Sequence, residues 1–254
     1  MQAIISDIHS NLEAFEAVLA DIKSQKITDI VCLGDIIGYG PSPIECIKLA
    51  IQNNIQCIYG NHEVALFQKE TRFNPRAMQA LNWTKRVLQK AMAEPGIRDF
   101  FQNLKHEIRT KKIIYTHGSP RNSTTEYLIR SDDFFQLKPE VKDSLKENFA
   151  LVPEVGFTGH THIPCVCTDD LYLVHPAWQD YQPYPILWGT KTLINVGSVG
   201  QPRDDDSRAC YAVFDGKAHI THRRVEYPVE ATVKRFQANP NLDPSLGERL
   251  RTGV

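Results

Sequence analysis

Three short apolar runs, at residues 3–6, 29–33 and 55–59, alternate with two stretches of helical periodicity. This pattern constrains the fold more than any other feature. In the first stretch Leu12, Phe15, Val18, Leu19 and Ile22 recur at helical spacing, and Asn11 stands where an N-cap is needed. In the second, Ser42-Pro43-Ile44-Glu45 reads as a capping box with proline at the first helical position. Ile44, Ile47 and Ile51 supply the apolar side of that helix. Strands joined through helices pair in parallel with right-handed crossovers, so an α/β sheet is expected from the first 60 residues.

The remainder changes character. Residues 75–93 read as a helix and 108–116 as a hairpin turning near Lys111-Lys112. Residues 131–145 read as a helix interrupted by Pro139. From residue 155 the pattern is β-rich, with strands expected at 155–158, 164–168, 171–174, 185–188, 191–195, 208–214 and 218–226, then a helix at 228–237. Candidate ligands come from both halves, so residues 1–238 are read as one domain. Residues 239–254 are read as a polar C-terminal tail that packs loosely or frays. The aromatic and proline-rich stretch 181–188 is read as a packed surface loop in preference to a flap or subunit contact.

Composition excludes some partners. The formal net charge is −1 and no long basic run occurs, which argues against dedicated nucleic-acid binding. No apolar run approaches the ~20 residues that span a membrane. The six cysteines have no zinc-type spacing, and Cys165 and Cys167 are read as packing residues. With no apolar leader after Met1, a reduced, cytoplasmic protein is expected. The composition is compatible with a homo-oligomer.

The chemistry gathers where strands end. Asp7-Ile8-His9, Gly34-Asp35, Gly60-Asn61-His62-Glu63, Thr116-His117-Gly118 and Gly159-His160-Thr161-His162 each follow an apolar run, and they hold five of the nine histidines. Sites in open α/β sheets collect at the carboxyl ends of strands. Aspartate oxygen together with imidazole nitrogen suits Mn, Fe, Zn, Co or Ni better than Ca or Mg. A carboxylate such as Asp35 has two oxygens and is able to bridge two ions, which together clamp the attacking and leaving oxygens of an in-line displacement.

In that order the motifs resemble those of the calcineurin-like metallophosphoesterase superfamily, most closely its compact prokaryotic branch with the YfcE-type phosphodiesterases. Asn195-Val196-Gly197-Ser198-Val199-Gly200-Gln201-Pro202-Arg203 extends the likeness, which covers about residues 2–225. The resemblance implies a four-layer αββα sandwich of two mixed β-sheets flanked by helices. It implies that Asp7, His9, Asp35 and His162 hold one divalent transition-metal ion, and that Asp35, Asn61, His117 and His160 hold a second. His62 takes the place of the catalytic histidine, stabilising transition-state oxygens or protonating the leaving group. The reaction implied is in-line attack of a metal-bridging hydroxide on a phosphate mono- or diester of a small molecule or nucleotide.

Asn11, Tyr39, Arg121 and Arg203 lie just beyond these segments and are the candidate substrate-binding residues. Glu63 reads equally well as the motif's acid or as a helix N-terminal acid. Asp204-Asp205-Asp206 is read as a solvated turn. The Asp-Arg pair of the superfamily's Ser/Thr protein phosphatases is missing from Gly34-Asp35-Ile36-Ile37-Gly38-Tyr39-Gly40, which argues against a dedicated phosphoprotein phosphatase. A nuclease would need a basic and aromatic groove. A catalytically silent scaffold would show broken ligand motifs, and here the set is intact.

Overall fold

The computed structural model describes residues 1–68 and 73–254. Two six-stranded mixed sheets pack face to face between helices. The first sheet is built from β1 (Gln2–Ile5), β2 (Asp29–Cys32), β3 (Gln56–Cys57), β9 (Tyr184–Pro185), β11 (Ala209–Phe214) and β12 (His219–Val225), in the order β3-β2-β1-β11-β12-β9. The second uses β4 (Glu107–Arg109), β5 (Ile113–Thr116), β6 (Val155–Thr158), β7 (Cys165–Thr168), β8 (Leu173–Val174) and β10 (Thr192–Asn195), in the order β4-β5-β6-β10-β7-β8. As expected from the helical crossovers, β1, β2 and β3 are parallel, with Gln2 opposite Asp29 and Ile5 opposite Cys32. In the second sheet β5, β6 and β10 are parallel.

Strand alternation divides the apolar side chains between two faces. Ile4, Val31, Ala212 and Phe214 of the first sheet meet Tyr115, Phe157, Val166 and Ile194 of the second in the central layer. The opposite face of the first sheet, with Ala3, Ile5 and Cys32, packs on α1 (Leu12–Ser24) and α2 (Pro43–Gln52) through Phe15, Val18, Ile22 and Ile47. The opposite face of the second sheet, with Ile114, Cys165 and Leu193, packs on α6 (Pro139–Leu151) through Leu145 and Phe149. This is the αββα sandwich. All six cysteines are buried and free, and among the described residues no helix is long and apolar enough to cross a membrane.

Several local expectations are corrected. Ser42 precedes α2 but makes no side-chain cap bond; its hydroxyl accepts instead from Arg235 Nη1 at 3.4 Å. Pro139 opens α6 rather than interrupting a helix, since its ring is pre-set for a first helical position; a separate 3₁₀ turn covers Ser131–Phe134. Only Tyr184–Pro185 of residues 185–188 and their neighbours pairs as strand, at the sheet edge where a proline is tolerated. α3 (Asn61–Phe67) and α5 (Pro95–Asn103) accompany α4 (Pro75–Ala91) without having been expected.

The C-terminal segment does not fray. After α7 (Val229–Ala238), residues 239–254 fold back as α8 (Ser245–Glu248) and a 3₁₀ turn at Arg249–Arg251. Leu242, Leu246 and Leu250 are buried with Phe236, Tyr39, Ala77 and Ala80. Three leucines in a polar stretch are enough to seat it.

Candidate metal centre

Five loops converge at the carboxyl ends of β1, β2, β3, β5 and β6. They are knitted by backbone hydrogen bonds that continue past the strands: Asp7 N donates to Gly34 O (3.0 Å), His9 N to Asp35 O (2.9 Å), Ser10 N to Ile36 O (2.8 Å) and Gly159 N to His117 O (2.8 Å). Here the chain turns sharply. Asp7, His9, Asp35, Tyr39, His160 and His162 all have φ between 49° and 66°, a left-handed conformation unfavourable for non-glycine residues. Such strain gathers at functional sites, at about 1–3 kcal/mol for each residue. It aims successive side chains inward rather than to alternate faces. Gly60 leaves room for this, because a Cβ there would overlap the Asp35 side chain. Gly38, at φ +90°, does the same beneath the His62 ring.

The donors form two groups sharing one carboxylate. Asp7 Oδ1 lies 3.2 Å from His162 Nε2 and 3.7 Å from His9 Nε2. Asp35 Oδ2 lies 3.7 Å from His9 Nε2 on one side and 3.3 Å from His117 Nε2 on the other. His117 Nε2 in turn lies 3.0 Å from both Asn61 Oδ1 and His160 Nδ1. The second oxygen of each carboxylate is held by a main-chain amide: His160 N donates to Asp7 Oδ2 (2.9 Å), and His62 N to Asp35 Oδ1 (2.8 Å). His62 stands beside His9 and Asp35 and forms a third close triad with them.

Three imidazoles are oriented by carbonyls behind them. His9 Nδ1 faces Ile37 O at 3.2 Å, His117 Nδ1 faces Leu33 O at 3.0 Å and His162 Nδ1 faces Gln201 O at 2.5 Å. Each Nδ1–H donates to its carbonyl, which turns Nε2 of each ring to the centre; the rings of His9 and His162, both lowered by burial, present a lone pair there, while in the absence of a cation the Asp35 carboxylate, against burial, raises His117 to about 9. His9 Nε2 and His162 Nε2 are 3.0 Å apart. Two lone pairs facing each other at that distance repel unless a cation lies between or beside them. Among the described residues Asp7 Oδ1 is buried without a hydrogen-bond partner. Buried polar groups are almost always satisfied, and the unmet demand here is for positive charge. The donor set fits divalent cations.

The electrostatics agree. Burial opposes ionisation of Asp7, but His162 and His117 outweigh it and hold the carboxyl below its usual range. Asp35 is lowered in the same way, with His117 and His62 overcoming burial. Burial drives His160 down to about 3 and His62 down to about 4. Both rings are therefore neutral at pH 7. Glu63 is pushed up to about 7 by burial and the Asp35 charge, against the amides of Ile37, Gly60 and Asp35 that donate to it. It serves as a buttress that ties the Asp35 loop to the start of α3.

Above the donors lies a cavity of about 110 Å³ lined by His62, Tyr39, Phe73, Asn74, Tyr127 and Arg203, among others. Two of the four candidate substrate-binding residues are therefore at the site. The other two are elsewhere. Asn11 is buried, and its amide is fully used by Ala14 N, Thr232 Oγ1, Gly200 O and Tyr227 Oη. Arg121 is exposed and bound to Glu126, Glu147 and Ser144. Of the acidic run Asp205 is exposed as a turn residue would be, but the Asp204 side chain is buried against Arg224 and His175. Tyr127, with its ring 3.9 Å from that of His160, and Phe73, 4.7 Å from His62, carried no sequence signal. They reach the site through loops whose paths no periodicity reveals.

Residues 1–219 match the description of a calcineurin-like phosphoesterase superfamily domain. The chain belongs to that superfamily. Its members hydrolyse phosphoric esters with the aid of metal ions, and this chain is such a hydrolase. It is 38% identical to protein MJ0912 of Methanocaldococcus jannaschii, over 100% of this chain and 98% of that protein. Among solved structures it is similar to a metallophosphoesterase from Sphaerobacter thermophilus, with 34% identity, a TM-score of 0.82, and 100% and 98% of the two chains covered. Protein PH1004 of Pyrococcus horikoshii OT3 shares the fold at 19% identity, with a TM-score of 0.71 and 100% and 99% coverage.

Proposed function

We propose that the centre holds two divalent transition-metal ions and hydrolyses phosphate mono- or diesters of small molecules or nucleotides. The observation that carries this reading is the placement of Asp35 Oδ2, which faces His9 at 3.7 Å and His117 at 3.3 Å and so belongs to both donor groups. Asp7, His9, Asp35 and His162 would hold one ion, and Asp35, Asn61, His117 and His160 the other. When bound, the ions supply Lewis acidity toward water and the phosphoryl oxygens.

The chain supplies the rest. Asp7 and Asp35 together carry only two negative charges, and Asn61 is a neutral donor, which leaves the centre attractive to an anionic ester. The Arg203 guanidinium gives Nη2 to Gln201 Oε1 at 2.8 Å, while its buried Nε has no partner among the described residues and is free to donate to a phosphoryl oxygen. His62 is packed among the rings of His9, Tyr39 and Phe73, which fix its plane. Neutral at pH 7, it has one ring N–H to donate toward charge developing on the leaving oxygen. The small cavity admits a phosphoryl group with little accompanying water, which strengthens these hydrogen bonds.

The test is hydrolysis of p-nitrophenyl phosphate and bis-p-nitrophenyl phosphate with added Mn. Turnover of at least one is expected. No turnover of either by protein with metal bound would contradict the proposal.

A further inference from the structure

The C-terminal turn, made of α8 and the residues after it, holds none of the donors named above, yet it meets the rim of the site on two sides. On the first side is Tyr39. It is buried in one apolar cluster with Leu242, Leu246 and Leu250, and Phe73 packs against the same cluster. The Tyr39 and Phe73 rings in turn lie 4.8 Å and 4.7 Å from the His62 ring, and Tyr39 is also 4.8 Å from that of His9. Tyr39 has φ 52°, a conformation that only its surroundings can maintain.

On the second side is the loop that carries Arg203. Asp205 N donates to Gly253 O at 3.0 Å. Gly253 has φ +71° and lies so close to this loop that a Cβ would come within 2.6 Å of the Asp206 carbonyl. Arg249 ties off the turn: its backbone carbonyl accepts from Gly253 N at 3.0 Å, and its guanidinium Nε donates to Val254 O. Asp204, next to Arg203, is pinned by Arg224 of β12, so the loop is held from the sheet and from the turn at once. Tyr39 and Asn74 of the rim and Leu246, Arg249 and Val254 of the turn line a cavity of about 570 Å³. Turn and rim therefore meet at a few seats rather than along a filled interface, and a single substitution at one seat should be felt.

We propose that the C-terminal turn is a positioning element for the reaction. Through Leu246 and Leu250 it fixes the Tyr39 and Phe73 rings that hold His62, and through Gly253 it fixes the loop that aims Arg203. This inference rests on the phosphoesterase reading above, which gives His62 its part in the chemical step and Arg203 its part in binding. The two seats therefore act on different kinetic constants, the leucines on kcat and Gly253 on KM.

Full-length, Mn-loaded variants are assayed with whichever nitrophenyl ester the wild type hydrolyses. Leu250→Ala should lower kcat about tenfold with KM within about threefold, because a small misplacement of a reacting group costs that much. Leu250→Met, which keeps the volume, should restore most of the loss. Gly253→Ala should raise KM about threefold to tenfold with kcat within about twofold, since the strained alanine pushes the Arg203 loop out of line. Metal content should stay at the wild-type level in all three. Leu145→Ala is the control: this leucine is equally buried, beneath the second sheet, so its loss should lower the melting temperature comparably but leave kcat and KM within about twofold. Wild-type kinetics in Leu250→Ala and Gly253→Ala, or a loss in Leu145→Ala that matches theirs, would overturn the proposal. Should Leu250→Ala not fold, Leu250→Val decides in its place, with a loss in kcat of about threefold expected. If the wild type hydrolyses neither ester, the phosphoesterase reading fails and hydrogen exchange judges the turn alone. Faster exchange at residues 36–40 in Leu250→Ala and at 203–206 in Gly253→Ala supports the positioning role, and wild-type rates at both overturn it.

Discussion

At the candidate metal centre every proposed donor follows the end of a strand by one to four residues, from Asp7 after β1 to His162 after β6. The rim above it is built differently. Tyr39 and Arg203 come from long loops, Phe73 and Asn74 precede α4, Tyr127 lies in the connection after β5, and Arg249 arrives from the C-terminal turn. The donors are fixed by sheet geometry, strained backbone and carbonyls behind the rings. The rim depends on packing between segments far apart in sequence. On the proposed reading, reaction chemistry resides in the first region and substrate preference in the second, where loop changes leave the donors in place.

Five substitutions probe this division, the last of them read through the pH dependence of stability, from the largest effect to the smallest. Asp35→Asn removes the carboxylate shared by both donor groups. Metal content should fall at both positions, and activity by more than about 10³-fold, the loss of several kcal/mol of charge stabilisation. Full occupancy of both sites in this variant would separate the two groups. His62→Ala should retain metal while kcat drops about 10²- to 10⁴-fold, the usual worth of a positioned proton donor. An unchanged kcat would move His62 to the structural frame.

Arg203→Ala belongs to the rim and should act on binding, raising KM about tenfold to a hundredfold with metal content unchanged. A parallel loss of metal would show that donors and rim are one unit. Arg121→Ala is the contrasting arginine: its guanidinium is spent on Glu126 and Glu147, so kcat/KM should stay within about twofold.

The smallest effect is on stability. His222 is buried, gives Nε2–H to Asn195 O at 2.7 Å and is driven by burial down to about 4. Asn195 in turn donates to Gly159 O and Thr161 Oγ1, holding the loop that carries His160 and His162. A base lowered on folding binds its proton more readily in the unfolded chain, so it makes stability decline as pH falls from about 6.5 towards 4. Replacing His222 with Gln should flatten that decline in denaturant titrations. A slope unchanged by the substitution would show that His222 does not titrate there.

The same division decides what could be read from the sequence. Strand runs followed by Asp, His or Asn picked out the side chains that converge at the candidate centre, because the signal is local: an apolar run, a turn and a ligand-type side chain. The helices α1 and α2 were legible from apolar spacing, and Pro139 was misread because a proline marks either a break or a start. Asn11 was legible as a cap and misleading as a substrate contact, since capping already uses its oxygen. Arg121 and Arg203 look alike in sequence, each following a ligand-bearing loop. Only the fold shows that Glu147 of α6 sits across from Arg121 while Arg203 has no such partner among the described residues. The C-terminal segment looked too polar to dock, and its three leucines reach the core only because α7 carries them there.

The central claim is that seven donor side chains, spread from position 7 to position 162, meet around two cations with Asp35 between them. Crystals of the Mn-loaded protein, measured at the manganese absorption edge, test it most directly. Two anomalous peaks are expected, one between Asp35 and the Asp7, His9 and His162 side chains, the other between Asp35 and Asn61, His117 and His160. A single peak, or two that do not share Asp35, would contradict it.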